Sequence, residues 1–158
     1  MTQKTQIKAD EGQQDMWITR DFDLPLHLLF KAHEEPAIIE QWMGTKVLKQ
    51  DNQKHGSYRY LTADPQGNVM FQASGAFHEF VPNQKITRTF EMENAPIGVQ
   101  LEFYVFEALT DTTSRLTMHV LYESVALRDQ VIQMGMSFGI GMAHDRLQAV
   151  AEKLLPKN

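Results

Sequence analysis

SVALRDQVIQMGMSFGIGMAHDRLQAVAEKLLP, residues 124–156, is the stretch on which the fold turns. It reads as one long C-terminal helix, with large apolar residues recurring at helical spacing. Its first half nevertheless places Gly135, Gly139 and Gly141 among Met134, Met136, Phe138, Ile140 and Met142. An interior glycine costs a helix about 1 kcal/mol relative to alanine, so something close to this backbone is expected to make the arrangement tolerable.

At about 100° per residue, Ile132, Met136, Ile140, Ala143, Leu147, Val150 and Leu154 fall on one broad stripe, expected to face a sheet. Leu127, Val131, Met134, Phe138 and Met142 fall on a second, set apart by the polar line of Gln130, Gln133, Ser137, His144 and Gln148. A helix laid across one sheet needs a single apolar stripe. Three readings of the surplus stand: a contact with a second copy through Val131, Met134, Phe138 and Met142; a bent helix whose two stripes line one enlarged cavity; or cover by the short helices or N-terminal tail of the same chain.

Upstream of the helix, Lys46 to Glu123 reads with period two, interrupted by turn residues at 51–56, 64–67, 82–83, 94–98 and 110–114. That punctuation delimits six strands joined by short connections, hence an antiparallel meander. Before them, Met16 to Phe22 alternates as a strand. Leu24-Pro25 then opens a short helix to about His33, and a second runs from Ala37 to Trp42, between Pro36 and Gly44. The expected architecture is α+β, a curved antiparallel sheet of about seven strands with the long terminal helix packed across it. One domain is expected over residues 16–158, after a flexible polar tail at 1–15.

With 158 residues, 42% of them hydrophobic and 22% charged, the chain fits a single globular core. It has no apolar run of membrane-spanning length, and the polar N-terminus lacks a signal-peptide pattern, so a cytoplasmic location without membrane insertion is expected. No cysteine is present, which removes disulfides, thiolate metal sites and cysteine nucleophiles. A net charge of −5 without a Lys/Arg cluster argues against a nucleic-acid partner.

Gly135-Met136-Ser137-Phe138-Gly139 matches the letters of a G-x-S-x-G nucleophile elbow, but that motif needs a strand-to-helix turn, and here it lies within a helix. The six histidines, at 27, 33, 55, 78, 119 and 144, form no metal-ligand spacing, and no Gly-rich phosphate loop follows a strand. Neither a metal nor a cofactor is expected. The better candidates are polar residues embedded in apolar strands: Arg59 between Tyr58 and Tyr60, His78 between Phe77 and Phe80, and Arg88 between Ile86 and Phe90. Arg88 shares a strand face with Ile86, Phe90 and Met92, and points inward if that face is concave. The tyrosines flanking Arg59 are expected to take the inward face. Glu102 and Glu107 read as isolated, so no catalytic constellation emerges.

Five segments in order resemble one known family: ITRDFDLPLHLLFKA, EQWMG, GSYRYLTADPQGN, GAFHEFVPNQKITRTFEME and SVALRDQVIQMGMSFGIGMAHDRL. Together they cover Ile18 to Leu155 and are similar to the activator of heat-shock-protein ATPase homologue type of the START-like, birch-pollen-allergen-like superfamily (SRPBCC). The resemblance implies a helix-grip fold with an apolar cavity between sheet and terminal helix. The superfamily also includes lipid carriers, cyclases and co-chaperones, so a chaperone ATPase partner is implied by the family name alone and a cyclase-like enzyme is an alternative. The resemblance implies that Trp42 seals one end of the gap. Two departures stand out. Relatives usually carry an Asp-x-Arg-x-Gly-Gly turn where this chain has Asp51-Asn52-Gln53-Lys54-His55-Gly56, and they tend to be polar at the positions of Ser137, Phe138, Gly141 and Met142.

The combined expectation is a non-catalytic domain that binds a small apolar or amphipathic molecule, as a homodimer. Expected ligand contacts come from Trp42, Tyr58, Tyr60, His78, Arg88, Phe90 and Phe103 on the sheet side, and from Met136, Gly139 and Ile140 on the helix.

Overall fold

A computed structural model of the chain describes residues 4–156. Its elements are β1 (Gln6–Lys8), β2 (Asp15–Phe22), α1 (Leu26–Glu34), α2 (Pro36–Met43), β3 (Lys46–Gln50), β4 (Ser57–Ala63), β5 (Val69–Val81), β6 (Lys85–Met92), β7 (Val99–Ala108), β8 (Ser114–Leu121), α3 (Val125–Gln133) and α4 (Met136–Glu152). The strands form one antiparallel sheet in the order β1-β2-β8-β7-β6-β5-β4-β3. Strands β3 to β8 are the six-strand meander expected from the period-two pattern, and β2 joins it beside β8. Because β2 and β3 lie far apart in that order, the chain between them must traverse the sheet, and α1 and α2 make the crossing.

Local chemistry sets where these helices begin and end. Pro36 occupies the first turn of α2, where its missing N–H is harmless, and Gly44 ends α2 in the left-handed conformation at φ 64°. Trp42 Nε1 donates to the Ala32 carbonyl at 2.7 Å, tying α2 to α1. Phe30 on α1 meets Phe80 and Phe106 edge to face, at 5.5 and 4.9 Å between centroids, which seats α1 on the sheet.

The long C-terminal helix is present as α4, but the stretch 124–156 forms two helices rather than one. Ser124 caps α3, its Oγ accepting from Leu127 N at 3.1 Å. The chain then breaks at Gly135, whose φ of 86° lies in the left-handed region, before α4 starts. Gly135 is thus a conformational requirement, whereas a Cβ added at Gly139 or Gly141 would meet no neighbouring atom within 4 Å. The expected close packing against those two glycines is absent.

The flexible N-terminal tail is likewise corrected over its described residues. Gln6–Lys8 pairs with β2, and Arg128 of α3 donates through Nη1 to the Asp10 and Asp15 carbonyls at 2.7 and 3.0 Å. Buried Arg20 donates to Asp145 Oδ1 on α4 at 2.8 Å and to Thr5 Oγ1 at 3.3 Å. The N-terminal segment therefore holds both halves of the terminal helix against the sheet edge.

Gly135→Ala is expected to lower stability by about 1–2 kcal/mol, the cost of an L-residue in the left-handed region. Gly141→Ala should raise it by about 0.5–1 kcal/mol, because that glycine lies mid-helix in open space. Urea denaturation of the two variants beside the parent chain checks the opposite signs.

Candidate functional site

A cavity of about 440 Å³ lies between the concave sheet face and α3–α4. Its sheet wall is Ile86, Arg88, Phe90 and Met92 from β6, Gln100, Glu102 and Tyr104 from β7, and Met118 and Val120 from β8. Its helical wall is Val131, Met134, Met136, Gly139, Ile140 and Ala143. Trp42, Met43 and His33 add to the lining from α1 and α2. The expectation that Arg88 shares the concave face with Ile86, Phe90 and Met92 holds in this lining.

The polar centre of the cavity is a cross-strand pair. Arg88 and Glu102 are direct partners in the β6–β7 register, and Arg88 Nε donates to Glu102 Oε1 at 2.7 Å. Their side chains retain only 12% and 5% of their surface. Arg88 Nη2 donates to the Tyr104 hydroxyl at 2.8 Å, and Gln100 Nε2 donates to Glu102 Oε2 at 2.8 Å. The guanidinium carbon stands 4.6 Å from the Tyr58 ring centroid and 5.0 Å from that of Tyr104. Burial raises the Tyr104 hydroxyl well above the usual phenol range, so it stays protonated. Glu102, which reads as isolated in the sequence, is thus the counter-ion of the only charge on that strand face of β6.

Two histidines, half-buried His33 and buried His144, join the wall without any signal in spacing. His33 Nδ1 lies 2.9 Å from the Leu29 carbonyl oxygen, and desolvation pushes its pKa down to about 4. His144, assigned to the polar line of the helix, is 2% exposed; its Nδ1 meets Thr5 Oγ1 at 2.8 Å and desolvation pushes its pKa down to about 3. Among the described residues, no three His, Cys, Asp or Glu side chains gather as a metal site.

Of the expected contacts, Trp42, Tyr60, Arg88, Phe90, Met136, Gly139 and Ile140 line the cavity. Tyr58 faces inward but lies outside the lining: its hydroxyl donates to the Thr89 carbonyl at 2.5 Å, and its ring lies beneath Arg88. His78 is corrected, because the β5–β6 register shifts between Phe77 and Glu79. That bulge lets Phe77 and Phe80 both pack inward, 5.2 Å apart, and leaves His78 exposed. Phe103 is corrected too. It alternates with Glu102 and Tyr104, so it lies on the outer face, stacked on His119, which stacks on Trp17 at 3.9 Å. Arg59 also points outward, to Glu93 at 3.1 Å, as its flanking tyrosines imply.

The second helical stripe divides. Val131 is buried in the cavity wall, so its place in the expected interface set is corrected. Met134 lines the cavity while 56% exposed, and Phe138 and Met142 are 74% and 45% exposed. Neither the short helices nor the described N-terminal residues cover these three.

The sequence matches the family model described as Activator of Hsp90 ATPase homolog 1-like protein over residues 23–152. The chain belongs to this family. Among solved structures, a Mycobacterium smegmatis protein superposes on it with a TM-score of 0.82 at 21% identity, covering 98% of both chains. An Arthrobacter aurescens protein gives 0.82 at 20% identity, covering 97% of this chain and 93% of its own. A Rhodobacter sphaeroides protein gives 0.81 at 19% identity, covering 94% and 99%. At such identities the likeness carries the helix-grip fold alone. No curated protein sequence matches the chain. Among the described residues no helix is long and apolar enough to cross a membrane.

In the turn at 51–56, His55 adopts φ 68°, the left-handed conformation that a glycine takes freely. Its N–H donates to the Phe77 carbonyl at 2.8 Å, which holds the turn against β5.

Removing Glu102 alone would leave the Arg88 charge buried without a counter-ion. Glu102→Ala should therefore cost about 3–5 kcal/mol, whereas the double replacement Arg88→Met with Glu102→Leu should restore most of it. Denaturant midpoints for the single and double variants check this. Acid adds a second expectation. His144 has a folded pKa below its ordinary value, so the unfolded chain binds more protons at intermediate pH. Its contribution is complete above about pH 6.5 and is lost as pH falls towards about 3. His144→Gln should reduce the slope of stability against pH between 6.5 and 4 by up to about 1.4 kcal/mol per pH unit, read from urea midpoints across that range.

Proposed function

We propose that the chain is a non-catalytic binding domain for a small apolar or amphipathic molecule held between the sheet and α4. The observation that carries this reading is the cavity of about 440 Å³, a volume within the usual range for small-molecule sites. Its walls are mostly aliphatic, aromatic and methionine side chains, with the polar groups gathered around Arg88, Glu102 and Tyr104. Methionines at 92, 118, 134 and 136 give part of the wall a flexible, polarisable surface suited to ligands of varied shape. Arg88 and Glu102 are committed to each other, so neither is free to act as a general base or nucleophile. That geometry favours binding over a cyclase-like reaction.

The exposed Met134, Phe138 and Met142 favour a second property of the same domain, association into a homodimer through α4. A regulatory contact with a chaperone ATPase rests on the family description alone. An unchanged chaperone ATPase rate in the presence of this protein would remove it.

The neutral fluorophore N-phenyl-1-naphthylamine is expected to bind saturably, at one site per chain. Gly139→Leu, which adds a side chain at a cavity-lining position of α4 where open space admits it, should weaken it about tenfold by taking volume from the ligand. Fluorescence that rises linearly without saturation, or is indifferent to Gly139→Leu, would reject the ligand reading. Light scattering is expected to give a dimer mass for the wild-type chain and a monomer mass for Phe138→Glu; a wild-type monomer at high concentration would sink the dimer.

A further inference from the structure

The polar cluster of the cavity leaves hydrogen-bonding capacity unused, and its arrangement specifies the kind of group that fits there. Leu29 offers His33 Nδ1 a carbonyl oxygen, which only accepts, so Nδ1 carries the hydrogen. In the neutral ring Nε2 is then a lone-pair acceptor. Among the described residues nothing donates to it, and it is not among the buried polar atoms sealed without a partner, consistent with its facing the open cavity. Arg88 has five N–H groups, of which Glu102 and Tyr104 take one each. His33 and Arg88 flank the same ring: Tyr104 is 5.9 Å from the His33 ring between centroids and 5.0 Å from the Arg88 guanidinium carbon. A ring with a free acceptor and a guanidinium with spare donors therefore flank Tyr104.

The charges at this cluster already balance. Arg88 is neutralised by Glu102, and His33 and His144 are held neutral by burial. Arg146, the other cation of the wall, is exposed, and its Nε is occupied by the Trp42 carbonyl at 2.9 Å, so its charge is screened by water. A ligand carboxylate placed beside Arg88 would set two carboxylates against one guanidinium in an apolar enclosure, a net buried charge. A hydroxyl brings no charge, gives His33 its missing donor, and offers Arg88 an oxygen lone pair.

We propose that the cavity selects a neutral, hydroxyl-bearing apolar molecule, its hydroxyl donating to His33 Nε2 and an oxygen lone pair facing Arg88, and that it discriminates against free acids of the same chain length. This rests on the ligand-binding reading above. The test displaces N-phenyl-1-naphthylamine at neutral pH with a matched decyl series: decan-1-ol, its methyl ether, and decanoate. Decanol should displace the fluorophore at a concentration at least about tenfold lower than decanoate, which brings the extra charge. It should also outcompete the ether, which accepts a hydrogen bond but donates none, by about threefold to tenfold. In His33→Leu the preference for decanol over the ether should vanish, while saturable fluorophore binding reports that the cavity has formed. Decanoate binding as tightly as decanol, for example through Arg146 at the rim, would overturn the proposal while leaving the ligand reading intact. So would a preference for decanol over the ether that survives His33→Leu. If the fluorophore and all three decyl compounds fail to bind, the ligand reading falls and this inference falls with it.

Discussion

The cross-strand pair of Arg88 and Glu102 is the constraint around which the concave face is arranged. A lone guanidinium among Ile86, Phe90 and Met92 would be prohibitively desolvated, and a lone carboxylate opposite Val120 no less so. Set side by side by the β6–β7 register, each supplies the other's counter-ion. Tyr104 and Gln100 on the same face of β7 add hydrogen bonds to the pair, and the Tyr58 ring backs the guanidinium from β4. Such a cluster does not interdigitate with a helix as an aliphatic surface does. The helices are instead carried by α1, α2 and the N-terminal segment, and space remains over the pair.

That support explains why the terminal helix tolerates its break. Gly135 turns the chain between α3 and α4, and each half has its own anchor: Arg128 holds α3 to the segment before β2, while Arg20 and Trp42 hold α4 through Asp145 and Arg146. The anchors are in the first turn of α3 and at mid-α4, on residues other than Met136, Gly139 and Ile140. Those residues can border a cavity because the helix does not depend on them to stay in place.

Most of the fold was legible because period-two and helical patterns are local properties. Turn residues between strands, Pro36 at the start of α2 and Gly44 at its end all mark boundaries through backbone preferences that act over a few residues. The site was legible only in part. Arg88 was readable from its parity with Ile86 and Phe90, but Glu102 was not, because β7 turns its more polar face inward and Leu101, Phe103 and Val105 outward. The usual rule that apolar residues face the core therefore pointed the wrong way at Phe103. At His78 one bulged residue reversed the alternation, and no residue type near it announces the shift. His33 and His144 were not legible because an uncharged histidine in a cavity wall has no spacing signature; what identifies it is the Leu29 carbonyl or the Thr5 hydroxyl beside it.

The sequence by itself determined the class of fold, the order of elements, the family and the strand face that Arg88 shares with Ile86 and Phe90, since each follows from periodicity, punctuation or segment order along the chain. Only the tertiary structure decided that Arg88 has Glu102 as its partner, that Val131 belongs to the cavity while Phe138 lies exposed, and that two histidines are held neutral. Those outcomes depend on strand register, on a bulge and on the angle at one left-handed glycine. They are relations between residues far apart in the chain, set when the sheet and helices pack rather than by any local preference.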